Sequence, residues 1–380
     1  STGGSKLDVI TNALTTSASA SITNLQAGSP INIGAGTITG CASNFVVTGP
    51  LSVFTDGTGA TAAKIASNNG QINFTPSSGS NLSFLNSGAP AALNINSGTA
   101  DVVTNTTNAT TSVTANTTLN VTGNQLTNNV DNGTFANSGQ VNAVKSTGAA
   151  GQINVLSTSN LTMPNAGNLS VDPTVAGAGG TIVIRAGAPG NPLGTLNIGN
   201  GTAASSTINA NGLTNGDGGT VTIAAGQVNI APGTPLTINT NAAGTGNGGT
   251  ISVSANDPTT GNITTGSGST NVNLSARGGT TNGNGGTVNL VAGNNVNIAG
   301  SAANINVTPA GTNGNGGSVN ITASNGSGSG SLTLSTNIDA SGKGVGNGGT
   351  VKLTNNSSQT ITVNQPINVS AGTTGNGGQV

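Results

Sequence analysis

The chain has 380 residues, a net charge of −1 and only 4% charged residues, among them seven Lys plus Arg, eight acidic residues and no His. So little charge excludes electrostatic attraction to nucleic acid or to an anionic membrane as a basis for binding. Trp and Tyr are absent, Phe occurs five times and Gly 63 times, so any core must consist mainly of aliphatic side chains. No apolar run approaches the ~20 residues of a membrane span.

Composition alone is also typical of a disordered chain, because it is polar and rich in Gly. Two features favour a folded structure instead. Like-charge repulsion is nearly absent, and the aliphatic residues recur with a period. The lone Cys41 has no partner for an internal disulfide, and its simplest interpretation is a small buried side chain.

Residues 1–170 carry the less regular part of this pattern. The segment GQIN at Gly70 and Gly151 and the segment GQVN at Gly139 echo GQVN at Gly226 in the second half. We therefore predict that this half is the same solenoid as the rest, with more variable coils, and not a separate globular domain.

The segment 104–118 within this half is dense in Thr and Asn. Such residues are expected on a strand face that is exposed to solvent, or in a loop. Both alternatives place these side chains outside the core.

Residues 171–380 contain a regular Gly-Asn-Gly-Gly-Thr-type repeat. The first Gly of each Gly-Gly pair is residue 179, 218, 248, 285, 316, 348 and 377, which gives spacings of 39, 30, 37, 31, 32 and 29 residues. Repeats of about 20–50 residues indicate a solenoid. The pairs are expected in turns that require a positive φ or a close approach of two backbones. These turn residues are Gly179, Gly180, Gly218, Gly219, Gly248, Gly249, Gly285, Gly286, Gly316, Gly317, Gly348, Gly349, Gly377 and Gly378.

The repeat at residues 287–317 shows what each unit contains. Its segments TVNLVA, NVNIA and NINVTP alternate Val, Ile or Leu with Asn or Thr, a period of two that places the aliphatic residues on one face of a strand. Each repeat is therefore predicted to hold about three short strands separated by turns. Expected core-facing residues include Val288, Leu290, Val319, Ile321, Val351 and Leu353.

One such unit cannot bury its apolar face alone, so the units must stack. The predicted fold class is all-β: an elongated right-handed parallel β-helix, or β-solenoid, in which the strands of one coil pair with those of the next. Outward Asn and Thr at equivalent heights are expected to form ladders of hydrogen bonds. At ~20–35 residues and ~4.8 Å per coil, the chain makes roughly 12–17 coils and a rod of about 60–80 Å.

The inventory of reactive side chains argues against catalysis. His, Glu and Tyr are absent and Cys occurs once, so the usual general bases and nucleophile partners are missing. No two of the eight Asp lie within five residues of each other; they are Asp8, Asp56, Asp101, Asp131, Asp172, Asp217, Asp257 and Asp339. We predict no catalytic residue, no cofactor and no metal site, although the scaffold itself does not exclude activity.

Two weaker motifs are interpreted as structural turns and not as binding sites for calcium or phosphate. NGDGG at residues 215–219 is similar to calcium-binding Gly/Asp turns, but such repeats need an Asp in turn after turn and the equivalent position here is mostly Asn. The Gly-rich segments lack the Lys that a phosphate-binding loop requires.

Three segments suggest a family. NIDASGKGVGNGGTVKL from Asn337, LSARGGTTNGNGGTVNL from Leu274 and INVSAGTTGNGGQV from Ile367 resemble the repeats of filamentous-haemagglutinin-like exoproteins. This resemblance implies a large bacterial β-helix that a partner outer-membrane pore exports. The Asn-Pro-Asn-Gly type motif of that family's secretion domain is absent from this chain, so that region lies elsewhere or export uses another route.

The expected function is that of a non-catalytic secreted structural protein at the bacterial cell surface or outside the cell. GGSKLDV at Gly3 parallels GGTVKLT at Gly348, and the chain ends on GNGGQV, so stacking with copies of itself head to tail, or with flanking repeats of a longer chain, is expected to build a filament, fibre or sheath. The alternatives are a β-helix adhesin that binds glycans or cell surfaces, an ice-binding β-helix and a polysaccharide lyase. No nucleic-acid partner and no membrane span is expected.

Overall fold

The computed structural model describes the strands within residues 1–100 and, beyond them, residues 101–107, 110–113, 117–164, 167–199, 205–266, 272–300, 304–326 and 329–380. The strands up to residue 200 are β1 Leu14–Thr15, β2 Ile31–Ile33, β3 Thr37–Gly40, β4 Phe45–Val47, β5 Leu51–Thr55, β6 Ala63–Ser67, β7 Ile72–Phe74, β8 Leu82–Asn86, β9 Ala91–Asn96, β10 Val102–Thr107, β11 Thr110–Val113, β12 Thr117–Thr122, β13 Leu126–Asp131, β14 Gly133–Asn137, β15 Gln140–Val144, β16 Gln152–Ser157, β17 Leu161–Met163, β18 Asn168–Ser170, β19 Thr181–Ala186 and β20 Thr195–Ile198. The later strands are β21 Ser206–Asn209, β22 Thr220–Ala225, β23 Gln227–Ile230, β24 Leu236–Asn239, β25 Thr250–Ala255, β26 Ile263–Thr265, β27 Val272–Ser275, β28 Thr287–Ala292, β29 Val296–Ile298, β30 Asn304–Asn306, β31 Ser318–Ala323, β32 Leu332–Leu334, β33 Asn337–Asp339, β34 Thr350–Asn355, β35 Ile361–Val363 and β36 Ile367–Asn368.

The strands form three parallel sheets, and strands that follow each other along the chain lie in different sheets. Sheet A has the order β1-β3-β6-β9-β12-β15-β18-β21-β24-β27-β30-β33-β36, sheet B the order β2-β5-β8-β11-β14-β17-β20-β23-β26-β29-β32-β35, and sheet C the order β4-β7-β10-β13-β16-β19-β22-β25-β28-β31-β34. From β4 onward each coil contributes one strand to sheet C, one to sheet B and one to sheet A. The prediction of a parallel β-helix with three strands per coil is therefore confirmed.

The register of sheet C explains the repeat spacing. Thr220 pairs with Thr250, Thr250 with Thr287, and Thr287 with Ser318, so the offsets from coil to coil are 30, 37 and 31 residues and equal the spacings of the Gly-Gly pairs. One repeat is thus one coil, and the longer repeats carry their extra residues in the turns. Thirteen strands in sheet A, at about 4.8 Å between neighbours, make a stack of about 60 Å.

The core is a column of aliphatic side chains between the three sheets. In β28, Val288, Leu290 and Ala292 are buried, whereas the residues between them are half-buried on the outer face. Of the expected core-facing residues, five are at most 1% exposed, and they are Val288, Leu290, Val319, Ile321 and Val351. Leu353, in the last described coil, is only partly buried and packs against the column from its end.

The segment 104–118 differs from the sequence prediction. Thr104, Thr106 and Thr111 are buried at positions that face the interior. The Thr104 hydroxyl donates to Oδ1 of Asn128 at 2.9 Å, and the hydroxyls of Thr106 and Thr111 lie 3.0 Å apart. The expected exposure was wrong for these three residues, because Thr can replace a β-branched aliphatic in the column when another interior polar group pairs with its hydroxyl.

Candidate functional site

The acidic residues in the described part of the chain do not gather into a cluster of three or more. Two of the carboxylates accept hydrogen bonds from backbone N–H groups. Asp172 accepts from the N–H of Asn211 at 2.5 Å, and Asp339 accepts from the N–H of Ser341 at 3.0 Å. Among the described residues no three His, Cys, Asp or Glu side chains form a group that could hold a metal ion. Asp8, Asp56 and Cys41 lie outside the described residues.

The Asp257 carboxylate has a structural explanation. Its Oδ1 accepts from the backbone N–H of Thr260 at 2.8 Å and of Thr259 at 2.9 Å. These bonds, led by the one from Thr260, lower the pKa of Asp257 from 3.8 to about 2, because they stabilise the ionised form. The carboxylate closes the turn after β25, and no second titratable group is needed to account for its pKa.

The Gly-Gly pairs lie where neighbouring coils approach most closely. A Cβ on Gly285, the first of its pair, would collide with the carbonyl oxygen of Val307, which follows the sheet A strand of the same coil. A Cβ on Gly286 would collide with the carbonyl oxygen of Gly249 one coil earlier. None of the fourteen turn glycines has φ in the left-handed region. Of the two reasons expected for these pairs, close backbone approach is therefore the one that applies.

The Asn of each Gly-Asn-Gly-Gly turn belongs to a ladder that runs along the stack. The backbone N–H of Asn284 donates to Oδ1 of Asn247 at 3.0 Å, that of Asn315 to Oδ1 of Asn284 at 2.8 Å, and that of Asn347 to Oδ1 of Asn315 at 2.8 Å. Asn376 donates in the same way to Asn347 at 2.8 Å. We call these residues the turn ladder: Asp217, Asn247, Asn284, Asn315, Asn347 and Asn376.

Asp217 is the first member of the turn ladder. Its Oδ1 accepts from the backbone N–H of Asn247 at 2.6 Å, while the equivalent residue one coil earlier is Ala178, which has no side-chain acceptor. Asp217 thus takes the same place in its turn as the Asn residues of the later coils. The NGDGG turn therefore has a structural explanation, since the carboxylate accepts the ladder bond as an Asn side chain does.

The last described coil has the same groups as the earlier coils, but no further coil covers them within the described residues. β34, β35 and β36 are the terminal strands of their sheets. Ile361 and Val363 occupy interior-facing register positions in β35 but are 43% and 39% exposed. A Cβ on Gly377 would meet no atom within 4 Å, unlike the first glycine of each earlier Gly-Gly pair.

Two grooves of about 430 and 410 Å³ lie along the outer face of sheet A. The first is lined by Asn120, Asn142, Ser170, Asp172 and Pro173. The second contains Asn304, Asn337, Asp339, Pro366 and Asn368. Each groove thus combines stacked amides or hydroxyls with one carboxylate and one Pro. Sequence reasoning missed them because their residues lie 22 to 33 positions apart and meet only through the coil register.

The described residues contain no helix of the length and hydropathy that crossing a membrane requires. Comparison with known proteins found no matching family model, no similar curated protein and no similar solved structure.

Proposed function

We propose that this chain is a non-catalytic structural protein, exported to the bacterial cell surface or beyond it, whose coils stack end to end into a filament, fibre or sheath. The observation that supports this proposal is the last described coil, because it offers a further coil the same contacts that earlier coils use among themselves.

Those contacts are specific. Where the coil of Asn315 meets the next one, the Asn347 N–H donates to Oδ1 of Asn315, the Gly316 N–H donates to the carbonyl of Asn347 at 2.9 Å, and the Thr350 N–H donates to the carbonyl of Gly317 at 3.0 Å. The corresponding groups of the last coil are Oδ1 of Asn376, the N–H of Gly377 and the carbonyl of Gly378. A second Gly-Asn-Gly-Gly turn would fit them in register.

The apolar end of the column adds to this template. Ile361 and Val363, together with the partly buried Leu353, Ile367 and Val369, form an aliphatic patch that a following coil would bury at about 25 cal/mol per Å². The partner in this proposal is a coil of the same repeat, either from another copy of the chain or from further repeats of a longer one. A contact of this kind is heterologous and does not close, so it propagates.

Sedimentation and electron microscopy test the stacking. We expect the purified chain to form particles longer than the ~60 Å that one stack provides. The double variant Ile361→Lys and Val363→Lys should abolish these particles, since it places two charges on the end of the column. Val345→Lys is the matched control, because Val345 is 71% exposed in the turn between β33 and β34 and away from the interior column; it should assemble normally. A wild-type protein that remains monomeric at high concentration, or a double variant that still assembles, would contradict the proposal.

Export is supported by the resemblance of residues 171–380 to the repeats of filamentous-haemagglutinin-like exoproteins. Fractionation of the source cells checks this part, and we expect the chain on the cell surface or in the medium. Recovery from the cytosol alone would argue against it without affecting the stacking test.

A glycan-binding adhesin is the second candidate, and the two sheet A grooves are the observation that favours it. Amide and carboxylate groups at regular spacing can bond the hydroxyls of a neutral sugar. Binding to an array of neutral glycans that Asp339→Ala removes would support this function. Asp101→Ala is the control, since Asp101 does not line either groove.

A further inference from the structure

Asn-Gly steps are chemically labile in flexible peptides. The backbone nitrogen of Gly attacks Cγ of the preceding Asn, and the missing Gly side chain leaves this attack unhindered. The repeat places such a step in every Gly-Asn-Gly-Gly turn. Other Asn-Gly steps lie outside the turn ladder, and Asn325–Gly326 is one of them.

In the turn ladder, hydrogen bonds hold both reacting groups, which are the backbone nitrogen of Gly and the side-chain amide of Asn. The Gly285 N–H donates to the carbonyl of Asn315 at 2.9 Å, and Oδ1 of Asn284 accepts from the Asn315 N–H at 2.8 Å. Attack by the Gly285 nitrogen on Cγ of Asn284 requires that both bonds break. The same pair of bonds holds the steps that begin at Asn247, Asn315 and Asn347.

Asn325–Gly326 has a different environment. It follows β31 in the turn toward β32, and both residues are exposed. Asn325 is held by its backbone N–H, which donates to the carbonyl of Ala292 at 2.9 Å. Within the described part of the chain its side-chain amide and the N–H of Gly326 accept and donate no hydrogen bond. Ser324 just before them has φ of 53°, so the turn is tight and not part of a strand ladder.

We propose that Asn325–Gly326 is a site of spontaneous covalent modification and that the turn ladder protects the four steps that begin at Asn247, Asn284, Asn315 and Asn347. The Gly326 nitrogen forms a bond to Cγ of Asn325 and loses its proton, the Cγ–Nδ2 bond breaks, and ammonia leaves. Water then opens the resulting succinimide at one of its two carbonyls and gives Asp or isoaspartate. No oxidation or reduction occurs, and water is the only co-reactant.

The expected size of the effect follows from the bonds that hold the ladder steps. Breaking two hydrogen bonds of ordinary net strength slows a ladder step about thirtyfold relative to a free one. The modified turn carries a new carboxylate at a neutral position, and isoaspartate also lengthens the backbone by one carbon. The proposal is independent of end-to-end stacking, because Asn325 lies on the side of the rod.

Peptide mapping by mass spectrometry tests it. The folded chain is incubated at mildly alkaline pH and 37 °C (roughly physiological temperature) and then digested in acid, and Asp plus isoaspartate is measured at residues 247, 284, 315, 325 and 347. We expect conversion at residue 325 about thirtyfold faster than at the other four. Equal rates at all five positions in the folded chain, or slower conversion at residue 325, would overturn the proposal.

Two controls keep the result interpretable. In denaturant all five Asn-Gly steps lose their tertiary contacts, so their rates of deamidation should converge. Ladder steps that stay slow in denaturant would show that the local sequence, and not the ladder, protects them. That result would overturn the proposal. Asn325→Gln keeps an amide in the exposed turn but forms a six-membered imide only slowly. The variant should therefore lose the fast phase in the folded state, and a fast phase that persists would place the reaction elsewhere.

Discussion

Among the described residues, a buried Thr hydroxyl in the interior column can be unpaired, as in Thr240, or hydrogen-bonded, as in Thr104. Thr240 is fully buried and its Oγ1 has no hydrogen-bond partner within the described residues. Its equivalents in the adjacent coils are Ala210 and Ala276, whose carbonyls accept from the turn glycines in the same way. By contrast, the Thr104 hydroxyl is paired with Asn128.

We therefore expect opposite effects from one type of substitution. Thr240→Val removes an unpaired buried hydroxyl at constant shape and should raise the free energy of unfolding by about 1 kcal/mol. Thr104→Val leaves Oδ1 of Asn128 without this donor and should lower it by about 1–3 kcal/mol. Denaturant unfolding of both variants measures the difference, and destabilisation by both would mean that the Thr240 hydroxyl has a partner.

The low pKa of Asp257 predicts that the stability of the fold depends on pH in the acid range. Its pKa of about 2 in the folded chain lies below the ordinary value of 3.8, so ionised Asp257 stabilises the fold above pH 4. That stabilisation is lost as the pH falls from about 4 to 2. NMR titration of the carboxyl carbon should give the low pKa, and Asp257→Asn should flatten the stability profile in this interval. A midpoint near 4 would contradict the role of the Thr259 and Thr260 N–H groups.

At the scale of the element, the Gly-Gly turn is the part that determines coil spacing. Gly285→Ala places a Cβ against the carbonyl of Val307, which belongs to the backbone and cannot move aside. We expect a loss of at least about 3 kcal/mol in unfolding free energy.

Gly377→Ala is the matched control for this prediction. Gly377 has the same place in its turn, but nothing lies within 4 Å of its Cβ position and its φ is not left-handed. In the chain that is not stacked on another copy, its substitution should be neutral or slightly stabilising, because Ala restricts the unfolded chain more than Gly does. Thermal unfolding of the two variants decides whether close approach explains the pairs.

At the scale of the whole molecule, we expect the stack to accommodate one added carboxylate in the turn ladder, but not carboxylates in several successive coils. Asp217 shows that a carboxylate can accept the ladder bond as Asn does, so Asn315→Asp alone should leave stability nearly unchanged. The triple variant Asn247→Asp, Asn284→Asp and Asn315→Asp continues from Asp217 and creates three adjacent pairs of like charges. At ~4.8 Å each pair costs about 1 kcal/mol in water.

Thermal unfolding at low and high salt checks this prediction. The triple variant should unfold at a lower temperature than the single variant at low ionic strength, and salt should restore most of the loss, since these charges are exposed and screened. A deficit that salt does not change would point to broken hydrogen bonds instead of repulsion.

The local sequence was sufficient for the fold class and for the coil length. In TVNLVA the aliphatic residues must share one face because the side-chain period of a strand is two, and β28 buries Val288, Leu290 and Ala292. The Gly-Gly spacing equals the number of residues per coil because the turn recurs once in each coil. Both properties depend on short-range geometry, so an alternating pattern and a repeat length predict them.

Only the tertiary structure decided what depends on contacts between residues far apart in the chain. Close approach, not positive φ, explains Gly285 because the carbonyl of Val307, 22 residues later, returns beside it. Thr104 is interior, and Asn128, one coil later, accepts the hydrogen bond of its hydroxyl, a contact that only the coil register creates. The sheet A grooves likewise arise from residues that only the register brings together. The sequence by itself thus determined the period and the stacking, while contacts within and between coils determined which polar groups are buried and which turns are crowded.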